Sequence, residues 1–352
     1  MLANHVEVIE ERIEKIKKAD KITRRNFNEV TLERAIFLSW YCSYGDCKFC
    51  FMSTQKDSIS DPKRGRRTYS SIFAEAILLK KLDWNLEFLS SGRDAFETEE
   101  LVKISKGMEE IFNEKIWLNV GLLSKEELET FDSIKGVVGA IETVNPELRK
   151  KVCPSKAHEN IEGMLNDALD IGLKTGVTII LGIGEKRSDT ELLLDFIEEY
   201  DISRVVLYPL NPQEKTVFED YPGPPTFYLC DTISTLRITY PDLEIIAGTW
   251  IENISSICLL LLSGANGLTK FPFLKMFGTR YGKRLEKEVS SVNRKLKGSF
   301  TDLERIKNLS YDLESFSFSE LVPAIKQKIE SYKAGVMKRQ SKYRDYDIWQ
   351  SA

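Results

Sequence analysis

Cysteine and histidine are scarce in this chain: six and two among 352 residues. That is far too little cysteine for the disulfide scaffold of a small secreted domain. Basic residues are not in excess either. Fifty Lys and Arg face 54 Asp and Glu, a formal net charge of −4, which excludes the basic footprint of a nucleic-acid-binding domain. No apolar stretch is long enough for a bilayer: Ile254–Leu262 is interrupted by Ser255 and Ser256 and is about half of the ~20 residues a spanning helix needs. Met1–Arg25 is charged throughout, without the apolar core of a signal peptide. A soluble, cytoplasmic protein with no membrane and no nucleic-acid partner is expected. In a reducing compartment, clustered cysteines point to metal more than to disulfides. Cys42, Cys47 and Cys50 fall within nine residues, whereas Cys153, Cys230 and Cys258 are scattered.

What is present in quantity is alternation. Val6, Ile9, Ile13 and Ile16 recur at helical spacing, which predicts an amphipathic lead-in helix. Eight short apolar runs come after it: 35–39, 86–90, 116–120, 136–141, 176–181, 204–208, 243–247 and 267–270. Helical patterns separate them, as at 71–82, 98–112, 159–171 and 226–240. Apolar strands alternating with helices predict a buried parallel sheet, and eight units predict an α/β chain of (β/α)8 TIM-barrel type. The expected organisation is an N-terminal helical lead-in over 1–31, a barrel over 32–280, and a charged helical extension over 281–352. Arg284, Lys287, Arg294, Lys295 and Lys297 form a basic run in that extension, read as a solvated face packing on the barrel or as a docking surface for an acidic partner. Barrels of this type carry their chemistry in the loops after the strands. Here those loops hold 40–52, Ser90–Asp94, Glu142-Thr143, Gly182–Glu185 and Pro209–Pro212, so the candidate ligands converge on one mouth.

Three thiols within nine residues, with Gly45 to turn the loop, suit iron–sulfur or zinc and not magnesium or calcium. The spacing of four residues and then two is shared with plant-type [2Fe–2S] ferredoxins, which need a fourth cysteine. A structural zinc would draw its fourth ligand from Cys153 or His158. Alternatively, the three cysteines hold three irons of a [4Fe–4S] cubane and leave the fourth iron open.

At these residues the chain resembles the radical S-adenosylmethionine (SAM) superfamily, whose cluster loop comes after the first barrel strand with an aromatic residue before the third cysteine, here Phe49. The first gap is one residue longer than the usual family spacing. The resemblance extends over residues 32–272. It implies that Ser90-Ser91-Gly92 binds the SAM amino group, that Glu142 binds its ribose or amino group, and that Ile180, Gly182 and Glu185 contact adenine, with Thr178 standing where the family has a glycine. It also implies a [4Fe–4S] cluster and SAM as cofactors, cleavage of SAM to a 5′-deoxyadenosyl radical, and an electron donor such as ferredoxin or flavodoxin.

Further stretches, Asn119–Ser124, Ile141–Leu148 and Ile246–Trp250, are similar to the biotin synthase and lipoyl synthase branch. Within it, the archaeal-type lipoyl synthase of two paralogous radical SAM proteins is the nearest likeness. This implies sulfur insertion into octanoyl groups on a lipoyl-carrier protein, with a paralogous radical SAM protein as partner. No cysteine precedes Cys42, so the additional N-terminal triplet of bacterial lipoyl synthases is missing. Cys153 is therefore the candidate catalytic residue, as a sulfur anchor or a ligand of a second iron–sulfur cluster. Ile161 stands where relatives place an arginine for the SAM carboxylate, and Arg187 is the candidate replacement. The alternatives are a radical rearrangement or cofactor-maturation enzyme, like the pyrrolysine and hydrogenase-maturation relatives, or a non-catalytic iron–sulfur or zinc protein. Cys230 and Cys258 fall in helical patterns and are read as packing residues.

Overall fold

The computed structural model describes residues 2–311, 313 and 316–344. Eight strands succeed one another along the chain: β1 (Glu29–Phe37), β2 (Asn85–Ser90), β3 (Ile116–Asn119), β4 (Ile134–Glu142), β5 (Lys174–Leu181), β6 (Ile202–Pro209), β7 (Glu244–Gly248) and β8 (Gly267–Thr269). Each pairs in parallel with the next, and β1 pairs with both β2 and β8, which closes the sheet. The expected (β/α)8 barrel is the observed architecture. The register aligns the strand ends: Phe37 lies beside Ser90, and Ser90 beside Asn119, so the loops after β1, β2 and β3 start level at one mouth.

The helices obey local rules. Thr98–Phe112 begins in a reciprocal capping box between Glu97 and Glu100 and ends at Asn113 in the left-handed conformation (φ 56°). Its Leu101, Ile104, Met108 and Phe112 are buried against the sheet. The lead-in helix Leu2–Asn26 is longer than its apolar spacing predicts. It lies on the helix Thr226–Thr239, where Lys15 donates to Thr235 (2.6 Å) and Arg12 pairs with Asp231 (3.3 Å).

β1 begins six residues before the apolar run at 35–39, because its first half carries charge into the barrel. Glu33 is 1% exposed and pairs with Arg204 of β6 (3.3 Å), which also donates to the Glu87 carbonyl (3.0 Å) and pairs with Glu244 (2.6 Å). A bulge where β1 meets β2 turns Glu87 inward as well, and its carboxylate accepts from the hydroxyls of Tyr208 and Thr269. Above this polar layer sits an apolar one of Ala35, Phe88, Trp117, Val138, Val206, Tyr208 and Ile246. Buried side chains thus plug the barrel interior below the mouth.

The C-terminal segment is not purely helical as expected. After the helix Arg280–Ser291 it forms a short strand, β9 (Lys295–Lys297), parallel to the first three residues of β1. Its basic run is largely taken up there: Lys295 pairs with Glu29, Lys297 donates to Asn85 (2.9 Å), and Arg294 donates to the Phe27 carbonyl (3.2 Å). Phe300 then packs on Trp84 at 4.6 Å, whose indole donates to the Ser299 carbonyl (3.1 Å). The final helix, Val322–Arg344, buries Ile325, Ile329 and Val336 over the helix Tyr69–Lys81.

Candidate active site

The cysteine loop runs from the end of β1 to the short 3-10 helix Phe51–Gln55. Gly45 turns it, with φ 52°. Backbone and side-chain bonds tie it on two sides. Ser43 N–H donates to the Arg93 carbonyl beyond β2 (3.1 Å), and Lys48 N–H donates to the Val152 carbonyl beyond β4 (2.8 Å). The Asp46 carboxylate also accepts from the Ser155 hydroxyl (2.6 Å) and N–H (3.1 Å). These protein contacts hold the loop against the mouth.

It roofs a cavity of about 630 Å³, of the size that binds a small molecule with its cofactor. Cys42, Cys47, Phe49, Cys50, Ser90, Ser91, Gly92, Glu142, Thr178 and Ile180 line it, so ten residues from four loops and strand ends share one space. Gly92 lies so close to the cysteine loop that a Cβ on it would stand 2.1 Å from the Tyr41 carbonyl oxygen and 2.5 Å from Cys42 Cβ. Only glycine permits this approach.

Glu142 has a left-handed backbone, φ 63°, at the centre of a tight turn in which Thr143 N–H donates to the Ile141 carbonyl (2.7 Å). Such a conformation is costly for a non-glycine residue, and observed outliers of this kind gather at functional sites. It ends β4 and aims the carboxylate inward, where it accepts from Lys156 Nζ (3.1 Å) and the Thr178 hydroxyl (3.4 Å). Burial disfavours the Lys156 charge, but Glu142, Cys47 and Cys153 outweigh it and hold the ammonium above its usual range. Lys156 and Lys270 also line the cavity, and no sequence motif marks either. The one local signal for Lys156 is its position three residues beyond Cys153 in the loop after β4; Lys270 shows in the sequence only as the end of an apolar run.

Four predicted residues do not face the cavity. Glu185 turns back on its own loop and accepts from Gly182 N–H (2.6 Å), Ile183 N–H (2.9 Å) and Gly184 N–H (3.1 Å). Gly182, at φ 98°, packs on Pro224. Arg187 pairs with Asp231 on the outer surface (3.1 Å). Cys153, 1% exposed, lies beneath Cys47 among Val152, Ile183, Leu210 and Phe218. Cys230 is buried in a barrel helix as expected, and Cys258 is half-buried in another.

Cys153 and Cys47 share one packed cluster. The neighbouring Cys153 thiol holds Cys47 below the usual thiol range against the opposing effect of burial, and Cys47 with burial raises Cys153 well above it. Burial pushes the Cys50 thiol up to about 11. Among the described residues no three His, Cys, Asp or Glu side chains already converge as a metal group. The donor set nonetheless fits an iron–sulfur cluster: three soft thiols on one glycine-turned loop, opening into a largely apolar chamber with space for a further ligand.

Comparison with known proteins agrees with this geometry. An uncharacterised protein of Methanocaldococcus jannaschii is 40% identical over 347 residues, covering 94% of this chain and 96% of the relative. Biotin synthase of Thermotoga neapolitana is 25% identical over 251 residues, 67% of this chain and 86% of that enzyme. The crystal structure of methylornithine synthase matches the fold with a TM-score of 0.68 at 21% identity, over 84% of this chain and 91% of that one. The family model described as Radical SAM superfamily matches residues 38–197, from the cysteine loop to the helix after β5. The loop, the glycine that meets it and the carboxylate across from it all fall inside that match, and residues 38–197 carry the core of the Radical SAM superfamily.

Proposed function

We propose that this enzyme abstracts hydrogen from a small substrate enclosed in the barrel mouth and rearranges it, in the manner of the pyrrolysine and hydrogenase-maturation relatives. The single observation that carries the reading is the convergence of Cys42, Cys47 and Cys50 with Ser90–Gly92, Glu142 and Ile180 on one cavity. Cys42, Cys47 and Cys50 would hold a [4Fe–4S] cluster, and Ser90, Gly92, Glu142 and Ile180 would hold SAM. When bound, the pair supplies a 5′-deoxyadenosyl radical upon one-electron reduction, with ferredoxin or flavodoxin as the proposed donor. The chain's own part is to orient and exclude. Gly92 keeps the turn after β2 in contact with the cysteine loop. Lys156 fixes the Glu142 carboxylate, and Phe37, Phe88 and Tyr208 make a floor that denies water to the reacting centre.

Rearrangement is favoured over sulfur insertion by where the remaining cysteines lie. Cys230 and Cys258 sit in helices outside the sheet, and Cys153 does not line the cavity. The specific observation for sulfur chemistry is that Cys153 packs in one buried cluster with Cys47. In that second reading Cys153 anchors a sulfur or a second cluster, and the acceptor is an octanoyl chain on a lipoyl-carrier protein, with a paralogous radical SAM protein assisting.

One anaerobic experiment tests both. Reconstituted protein, reduced with dithionite and given SAM, is expected to release 5′-deoxyadenosine, and the triple Cys42, Cys47, Cys50→Ala variant to release none. Four bound irons whose EPR signal is untouched by SAM, with no 5′-deoxyadenosine formed, would sink the proposal. Thiolation of an added octanoylated lipoyl-carrier protein, lost in Cys153→Ala, would replace rearrangement by sulfur insertion.

A further inference from the structure

Lys270 comes directly after β8. In the closed eight-strand sheet it stands opposite β4, the strand that ends in Glu142. The proposed SAM contacts come from β2, β4 and β5, so Lys270 belongs to the other half of the chamber. Its backbone is left-handed, φ 75°, a strained conformation for lysine. Its ammonium lies 4.2 Å from the centroid of the Tyr208 ring and 5.6 Å from that of Phe37.

Among the described residues no carboxylate forms an ion pair with it. The two nearby candidates are already engaged: Glu87 accepts from Tyr208 and Thr269, and Glu142 from Lys156 and Thr178. Burial lowers the Lys270 pKa, opposed by Glu87 and reinforced by Arg34. An ammonium carries three donors, and aromatic faces attract it but accept no conventional hydrogen bond. The side chain is half-buried at the cavity wall, and a charge that faces a largely apolar chamber without an anionic partner is unfavourable, so the position suits an anion. Asn211 and Gln213 line the same cavity and bring amide donors to it, one of them already given by Gln213 to the Asn211 carbonyl (3.0 Å), and Trp250, whose indole donates to the Pro209 carbonyl (3.4 Å), adds an apolar face.

We infer that Lys270 receives an anionic group of the substrate, a carboxylate or a phosphate, and so fixes the substrate's far end across the barrel mouth from the SAM half. The inference rests on reading the cavity as a substrate chamber. It implies an organic acid of small size, with an unactivated carbon chain between the anion and the centre of the barrel.

The test is a binding measurement on reconstituted protein saturated with SAM and kept without reductant, so it reports on Lys270 whether or not SAM is ever cleaved. Hexanoate, hexyl phosphate and hexanamide are titrated calorimetrically, with tryptophan fluorescence as a second signal because Trp40 and Trp250 line the cavity. At least one of the two anions is expected to bind about tenfold or more tightly than the neutral amide, in keeping with a charge-assisted hydrogen bond. Preference for hexanoate identifies a carboxylate, and preference for hexyl phosphate a phosphate. Lys270→Met should bring the preferred anion down to the level of hexanamide, and Lys270→Arg should keep the preference. Equal binding of anion and amide by the wild type, no binding of either anion, or an undiminished preference in Lys270→Met would overturn the inference.

Discussion

Gly92 and Glu142 show how single residues prepare this mouth. A methyl group at position 92 meets backbone, not a flexible side-chain end: the Tyr41 carbonyl at 2.1 Å and the Cys42 Cα at 2.8 Å. Gly92→Ala therefore has to push the cysteine loop off the turn after β2. The expected outcome is a loss of stability of about 1–3 kcal/mol, as for other overpacked sites, and a loss of most of the iron retained after reconstitution. Iron and sulfide counts beside a urea melt measure both. Wild-type iron content in the alanine variant would show that the loop does not depend on this contact. Ser90-Ser91-Gly92 is legible in the sequence as a tight turn, but its reason is not, since the atoms that forbid a Cβ belong to residues about fifty positions away.

Strands and helices are joined here by charge as well as by apolar packing. Glu75, on the helix Tyr69–Lys81, is 5% exposed and pairs with Arg34 of β1 (2.9 Å) and with Arg67 (2.8 Å). Burial opposes its charge, yet the two guanidinium groups prevail and hold its carboxyl below the usual range. A depressed carboxyl pKa contributes stability that is fully present above the unfolded value, about 4.3, and is lost as pH falls through the folded value. Glu75→Gln is thus expected to cost about 3 kcal/mol at neutral pH, where it leaves two arginines without their buried partner. The gap to wild type should shrink below about pH 4. Urea melts at neutral and at acid pH check this, and a gap independent of pH would show that the pair is not what joins helix to strand.

The same mixture of charge and packing explains why the apolar run at 35–39 understates β1. The Ala35–Phe37 end shows the pattern of a buried strand, but Glu33 and Arg34 look solvent-facing until their partners Arg204 and Glu75 are placed beside them. Sequence patterns register a charge; they do not register the charge that neutralises it from another strand.

The whole molecule is one barrel wrapped by both ends of its chain. The segment after residue 292 supplies β9 to the edge of β1, Phe300 to Trp84, and Phe316 and Phe318 to Phe73 at 5.1 and 4.8 Å. Each large apolar side chain so buried contributes about 1.5–3 kcal/mol, against a total stability of about 5–15 kcal/mol for a domain. A chain ending at Val292 is therefore expected to be insoluble or to unfold without cooperativity. Recovery of a soluble truncated protein with wild-type far-UV circular dichroism and melting temperature would show that the segment is dispensable.

The barrel, the cysteine loop at its mouth and the small-residue turn after β2 were legible in the chain itself, because strand and helix periods and short ligand spacings are local properties. The placement of Lys156 and Lys270 in the cavity wall, the burial of Cys153 beneath Cys47, and the diversion of Glu185 to its own loop were decided by the fold. Each depends on which strands close next to one another and on which donors a carboxylate, thiol or ammonium then meets, and those distances exist only once the sheet has closed.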